Sequence, residues 1–401
     1  MRGAIAGLAA LASAVLSPAA PGQSKIAPSP PPYIGAYQPQ GVDEIGLWRQ
    51  EDEGERALAN SAILIRDEAL NSYVRNVLCS AVGADRCGAA RIYILRMPIF
   101  NATMSPNGTM RIFSGLLLRV RNEAELAAVL GHEFGHFERR HSLARFKAQR
   151  SGTDLLSWAG VFATLGNTYQ SYSNLNSLQL SVYGQIFRFN RDQEREADML
   201  GLGYLNRSSL RPQAASVVWQ NLMSEQEASA AARGLRKPNF DRIAFFATHP
   251  PEAERANTLA AWAVPDAAFR DLGANRYAAA LASWLPTFLD DQIKLNDFGG
   301  SDYIISSLAE NGWTAPLLVA RGDLYRARGN PRDLAQASEF YGKAVEMDAA
   351  LPEAQRGLGL SLIKTGRRKE GQVALRRYLD LKPNALDAAM ISMLAPSAGG
   401  Q

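Results

Sequence analysis

The sequence predicts an α+β protein, with a mainly helical body carrying a small β-sheet or hairpin and an all-α section after it. Three observations predict it. Apolar Leu126, Val129, Leu130, Phe134 and Phe137 recur at helical intervals behind Asn122 and Glu125, which are spaced as a capping pair. Arg91 to Leu95 alternates as a strand, and Ile99 to Met104 and Thr109 to Phe113 flank Asn107-Gly108 as a hairpin with a tight turn. In the last third, glycine, alanine and tyrosine recur at the spacing of helical-hairpin repeats.

Met1-Arg2-Gly3, the apolar run Ala4 to Leu16 and Ser17-Pro18-Ala19-Ala20 predict a secretory signal peptide over 1–20. No cysteine follows the run to carry a lipid, and the run falls short of the roughly 18 apolar residues that span a bilayer. Residues 21–42 hold Pro28, Pro30, Pro31, Pro32 and Pro39 and predict an extended tether. Asp43 to Asn60 predicts a helix lying on the body, and Asp67 caps another that runs to about Val82. Cys79 and Cys87, the only cysteines, predict one disulfide in an exported chain. The 401 residues, 47% hydrophobic, suffice for two domains, expected at 43–265 and 266–401. A net charge of +4 and a pI near 9.0, without a basic aromatic patch, argue against nucleic acid and leave an anionic envelope surface as a peripheral neighbour.

Chemistry concentrates in His132-Glu133-Phe134-Gly135-His136. On a helix the two histidines lie one turn apart on one face and reach one metal ion, with Glu133 placed to take a proton from the attacking water. The motif is short, and a chance occurrence in a soluble helix is its plain alternative. A catalytic zinc takes three protein ligands and keeps a position open, so one ligand is still needed. Asn190 to Asp198 offers it: Asn190 is placed to cap a second helix, on which Glu194 and Asp198 share a face. Glu194 can then bind the metal while Asp198 accepts the free N–H of a ligand histidine, whereas Glu196, about 200° from Glu194, points elsewhere. Spacing alone favours a solvated acidic helix with salt bridges over a metal ligand. His141 falls about 140° from His136 by helical geometry and reads as a surface residue.

The HExxH motif, Glu194-Arg195-Glu196-Ala197-Asp198 and Thr248-His249-Pro250-Pro251 with Arg255 together resemble the gluzincin metalloproteases of the HtpX and CAAX-protease family. The resemblance implies a zincin-like catalytic domain holding one Zn2+ per chain through His132, His136 and Glu194, with Glu133 as the base. It covers roughly Asp43 to Pro265. Asn190 stands where many members have serine, and the transmembrane helices of HtpX itself are missing. That moves the resemblance toward the periplasmic, BepA-like branch of β-barrel assembly-enhancing proteases, which join this domain to tetratricopeptide repeats. His249 is expected to act as an oxyanion stabiliser, a proton donor, or a fourth ligand in a resting state; a loop histidine is the alternative. Arg255 is expected to anchor its loop or pair with a carboxylate. Ser151 to Tyr183 reads as a lid or a packing helix.

In the C-terminal third, Leu358, Gly359, Leu362, Gly366, Gly371, Leu375, Tyr378 and Pro383 fall at tetratricopeptide spacing. Gly322, Tyr325, Gly329, Ala337, Tyr341 and Ala344 form a preceding unit, with about three extra residues expected in its turn around Pro331. Ala278 to Ile293, broken or kinked at Pro286, and Tyr303 to Asn311 supply packing helices. The whole reads as a periplasmic zinc metalloendopeptidase acting on unfolded or misassembled proteins, its repeats docking on outer-membrane assembly machinery. A chaperone or assembly scaffold with a latched protease site is the rival from another class.

Overall fold

A computed structural model describes residues 32, 37–151, 190–240, 252–267 and 269–396. The expected signal peptide, nearly all of the lid-like segment and Thr248 to Pro251 with His249 lie outside the described residues. The fold is α+β, mostly helical, with a mixed four-stranded sheet in its N-terminal part. Helix α1 (Gly41–Ala59) precedes strand β1 (Leu64–Ile65) and helix α2 (Glu68–Val82). Asp67 caps α2 by accepting the Leu70 N–H at 3.0 Å, and the Cys79–Cys87 disulfide ties α2 to the short α3 (Ala84–Cys87).

Strands β2 (Arg91–Leu95), β3 (Ala102–Met104) and β4 (Thr109–Phe113) complete the sheet in the order β1-β2-β4-β3. β1 and β3 run antiparallel to their neighbours, while β2 and β4 are parallel, Ile94 lying opposite Ile112. The hairpin is tighter than its sequence suggests, because only 102–104 pair with β4. Residue 99 instead lies against Gly115 at the start of α4 (Ser114–Arg119), where a Cβ would sit 2.4 Å from the Ile99 nitrogen. Its turn also differs from a two-residue Asn-Gly loop. Gly108 N–H reaches the Ser105 carbonyl, and Gly108 adopts φ +90, which favours glycine.

Helix α5 (Glu123–Glu138) follows, capped by the Asn122 side chain on the Glu125 N–H at 2.8 Å. Helical residues 141–151 (α6) and 190–207 (α7) are described on either side of residues 152–189. Next come α8 (Ala214–Ala232), α9 (Glu252–Trp262), α10 (Ala274–Leu281), α11 (Leu285–Ile293) and α12 (Phe298–Leu308). The expected break at Pro286 is real: α10 ends before it and Pro286 sits in the first turn of α11, where its missing N–H costs nothing. One apolar core runs from Leu78, Ile94 and Ile112 through Leu126 and Phe134 to Leu202, Phe288 and Ile304.

Two helix pairs end the described chain before α17 (Ala388–Leu394): α13 (Ala315–Arg328) with α14 (Pro331–Met347), and α15 (Pro352–Lys364) with α16 (Arg368–Leu381). Tyr341, fully buried, fills the space left by Gly322 and Gly357, where added Cβ atoms would lie 2.7 and 2.2 Å from its ring. The extra residues around Pro331 are helix rather than loop, since Pro331 opens α14, which has 17 residues against 14 in α16. Among the described residues no helix is long and apolar enough to cross a membrane.

Helix α1 is fastened to the sheet by its acidic face. Ser105 and Arg111 donate to Glu51, Asn107 donates to Asp52, and Arg91 and Tyr93 donate to Glu55 at 2.6 and 2.8 Å. The Arg91 hydrogen bond holds the Glu55 carboxyl down at about 2, against an ordinary 4.5, although burial opposes ionisation. Glu55→Gln should therefore cost about 1 kcal/mol at neutral pH, discounted for the exposed Arg91 end. The difference from wild type should shrink as pH falls from 4.5 toward about 2, because a depressed carboxyl stabilises only while ionised. Paired denaturant melts at pH 7 and pH 3 measure this, and an equal loss at both would refute it.

Candidate active site

The site is built where α7 crosses α5. At the crossing both helices carry small residues: Gly131 and Gly135 on α5, Ala197 and Gly201 on α7. A Cβ on Gly201 would lie 2.8 Å from the His132 nitrogen, and one on Gly135 would lie 3.3 Å from the Ala197 carbonyl oxygen. Such backbone proximity brings Glu194, two turns before Gly201, over the His132 and His136 rings.

His132 Nε2 lies 3.5 Å and His136 Nε2 3.4 Å from the Glu194 carboxylate oxygens, and the two Nε2 atoms face each other at 3.1 Å. Two imidazoles make that contact by sharing a proton or a cation. One ligand atom from each of the three side chains falls within 4.8 Å of the others. The donor set, two neutral-capable nitrogens and a buried carboxylate, fits zinc. Glu133 lines the same cleft, half-buried beside the two histidines.

His132 Nδ1 lies 2.9 Å from Asp198 Oδ1, so an Nδ1–H there leaves Nε2 free for a metal. Arg255 in turn holds Asp198 through Nε at 2.7 Å and Nη2 at 2.5 Å, and its guanidinium stacks 3.6 Å from the Trp219 ring centroid. Burial opposes ionisation of Asp198, yet the Arg255 charge and the His132 hydrogen bond hold its carboxyl at about 2. Burial likewise pulls the His132 imidazole down, but the Asp198 and Glu194 hydrogen bonds outweigh it and raise it to about 9. For His136 burial wins and holds the ring at about 4.

The structure thus brings together His132, Glu133, His136, Glu194 and Asp198, and it gives Arg255 a carboxylate partner, while His249 lies outside the described residues. Two expectations are corrected. Asn190 is already helical, and its buried Oδ1 has no partner among the described residues, so it is not a cap. His141 is buried rather than on the surface, because α5 ends before it. Arg140 takes the left-handed conformation (φ 55), the chain turns, and α6 begins under His136. That strained residue is held by a cation–π contact with Tyr37 at 4.2 Å and by the buried Glu44 at 3.6 Å.

The cleft measures about 630 Å³. Sequence reasoning missed its apolar wall of Phe100, Val218 and Trp219, and Arg145, whose guanidinium lies 3.7 Å from Glu194. Nothing in the spacing of those residues marks them. β3, last in the strand order, lines the same cleft with residues 102–104.

Residues 65–263 match peptidase family M48. The chain carries an M48 peptidase domain. Over 176 residues it is 28% identical to mitochondrial metalloendopeptidase OMA1 of Schizosaccharomyces pombe, covering 44% of this chain and 47% of the relative. It is 30% identical to the β-barrel assembly-enhancing protease of Yersinia pestis (42% and 36% covered) and 32% identical to metalloprotease YcaL of Escherichia coli K12 (40% and 56%). The matches thus span from about a third to just over half of these relatives' lengths. The M48 match ends at the start of the C-terminal helices and includes every side chain of the metal cluster.

Alanine is the better helix former by about 1 kcal/mol, yet Gly201→Ala should destabilise the M48 domain and weaken metal uptake, because its methyl meets backbone that cannot yield. Gly203→Ala, two residues away, meets only the far end of Arg207 at 3.5 Å and should be neutral or stabilising. Thermal melts and metal content of both variants decide; a harmless Gly201→Ala would remove the close crossing as the organising contact.

Proposed function

We propose that the chain is a zinc-dependent metalloendopeptidase of the periplasm, hydrolysing peptide bonds of unfolded or misassembled envelope proteins in outer-membrane quality control. The convergence of His132 Nε2, His136 Nε2 and Glu194 beside Glu133 in one cleft carries the reading. His132, His136 and Glu194 would hold one Zn2+. When bound, zinc supplies Lewis acidity, lowering the pKa of water and polarising the scissile carbonyl. Glu133 takes the proton of the attacking water and passes it to the leaving amine. Asp198 and Arg255 fix the His132 ring during the cycle. An extended substrate adds to β3 as a further strand and lays an apolar side chain against Phe100 and Trp219.

The periplasmic address rests on the expected signal peptide, and the quality-control role on the similarity to β-barrel assembly-enhancing proteases. In this reading 43–265 is the catalytic part and 266–401 a tetratricopeptide-like part that docks on outer-membrane assembly machinery. A groove of about 640 Å³ between α14, α15 and α16, lined by Ser338, Gln355, Leu358, Arg367 and Glu370, suits a protein segment.

Glu133→Gln should retain stoichiometric zinc and lose casein cleavage by about 10²- to 10⁴-fold, the usual contribution of a general base. His136→Ala and Glu194→Ala should lose zinc as well. Full cleavage by Glu133→Gln would sink the mechanism, and stoichiometric zinc in Glu194→Ala would exclude that carboxylate as an essential ligand. His249 is assigned here to a resting-state latch on the metal, so His249→Ala should cleave casein faster than wild type. A drop of about 10²-fold at full zinc occupancy would instead assign it to the oxyanion.

A further inference from the structure

His136 carries a partner on its far side that neither the HExxH motif nor the Glu194 element supplies. Its Nδ1 lies 2.8 Å from His141 Nδ1, and His141 Nε2 lies 3.2 Å from Glu196 Oε2. His141 is 4% exposed, and its ring meets that of His136 edge to face with centroids 5.0 Å apart. Glu196, on α7, is half exposed and is also bound by Arg139 at 3.0 Å. Only one set of tautomers satisfies this chain when His136 presents Nε2 to the metal cluster. His136 donates Nδ1–H, His141 accepts at Nδ1 and therefore carries its proton on Nε2, and that proton is donated to Glu196.

We propose that His141 and Glu196 form an outer support for the metal ligand His136, equivalent in purpose to the Asp198 and Arg255 support of His132 but relayed through a second imidazole. Both are positioning residues that touch no substrate. The inference rests on the proposed zinc site. Its physical basis is that a ligand imidazole whose remote N–H is anchored is fixed in ring orientation and tautomer and made a better donor. The two supports arrive by different routes. Asp198 reaches His132 directly from α7, whereas His141 depends on the left-handed Arg140 that folds α6 back beneath α5. Glu194, Glu196 and Asp198 thus serve three distinct parts of one site from one stretch of helix.

The test is zinc affinity of the full chain, measured by chelator competition, together with histidine 15N spectra of the zinc-loaded protein. His141→Phe keeps the ring and removes both nitrogens; it should weaken zinc binding by about 10- to 100-fold. His141→Asn places an amide oxygen where Nδ1 stood, so it should recover part of that loss, which a merely space-filling role would not produce. Glu196→Ala, a change at a half-exposed position, should weaken zinc binding several-fold. In the spectra His141 should carry its proton on Nε2 alone. Wild-type zinc affinity in His141→Phe and Glu196→Ala, or a proton on His141 Nδ1, would overturn the proposal. Failure of the wild type itself to bind zinc would instead reject the metal site on which the proposal stands.

Discussion

The close crossing of α5 and α7 sets the distance on which everything else in the site depends. Helices usually pack with axes 8–10 Å apart, spaced by their side chains. Here glycine on each helix removes that spacer, and a Cβ at Gly201 would press on the His132 backbone itself. Glu194 is a short carboxylate two turns away, and only this approach lets it meet imidazoles that project from the neighbouring helix. Helix α2 and strand β3 pack on α5, whose Leu126, Leu130 and Phe134 are buried in the shared core, Phe134 edge-on to Tyr204 of α7, and the His132 and His136 face is left toward the cleft.

Charge is arranged around this crossing so that each buried ionisable group has a partner. Asp198 would be costly to bury alone, and Arg255 compensates it with two hydrogen bonds while spreading its own flat face on Trp219. Trp219 thereby belongs at once to the support of His132 and to the apolar cleft wall. On the other side, Tyr37 and Glu44 hold Arg140 in a conformation that ordinary residues avoid. The segment just before α1 is in this way linked to the turn that delivers His141.

What was legible in the sequence is what is decided locally. The Asn122 and Asp67 caps, the α2 and α5 helices and the break before Pro286 depend on neighbours within a turn, and each stands where its residues put it. The pairing of His132 with His136 is likewise local. Glu194 was ambiguous because a solvated acidic helix has the same spacing; the glycine crossing that resolves it is a long-range contact. His141 was misread for a related reason. Helical spacing continued past Arg139 puts His141 on the surface, but α5 ends at Glu138 and Arg140 turns the chain, a change that a non-glycine residue does not advertise. β1 is too short to leave a pattern, and the parallel pairing of β2 with β4 depends on the chain passing through β3 in between.

Anomalous diffraction at the zinc edge from crystals of the full chain tests the central claim most directly. The account requires one zinc peak per chain, bounded by Nε2 of His132, Nε2 of His136 and the Glu194 carboxylate, with α7 lying on Gly131 and Gly135. A zinc peak away from these three side chains, or one bound by both histidines with Glu194 turned aside, would contradict it.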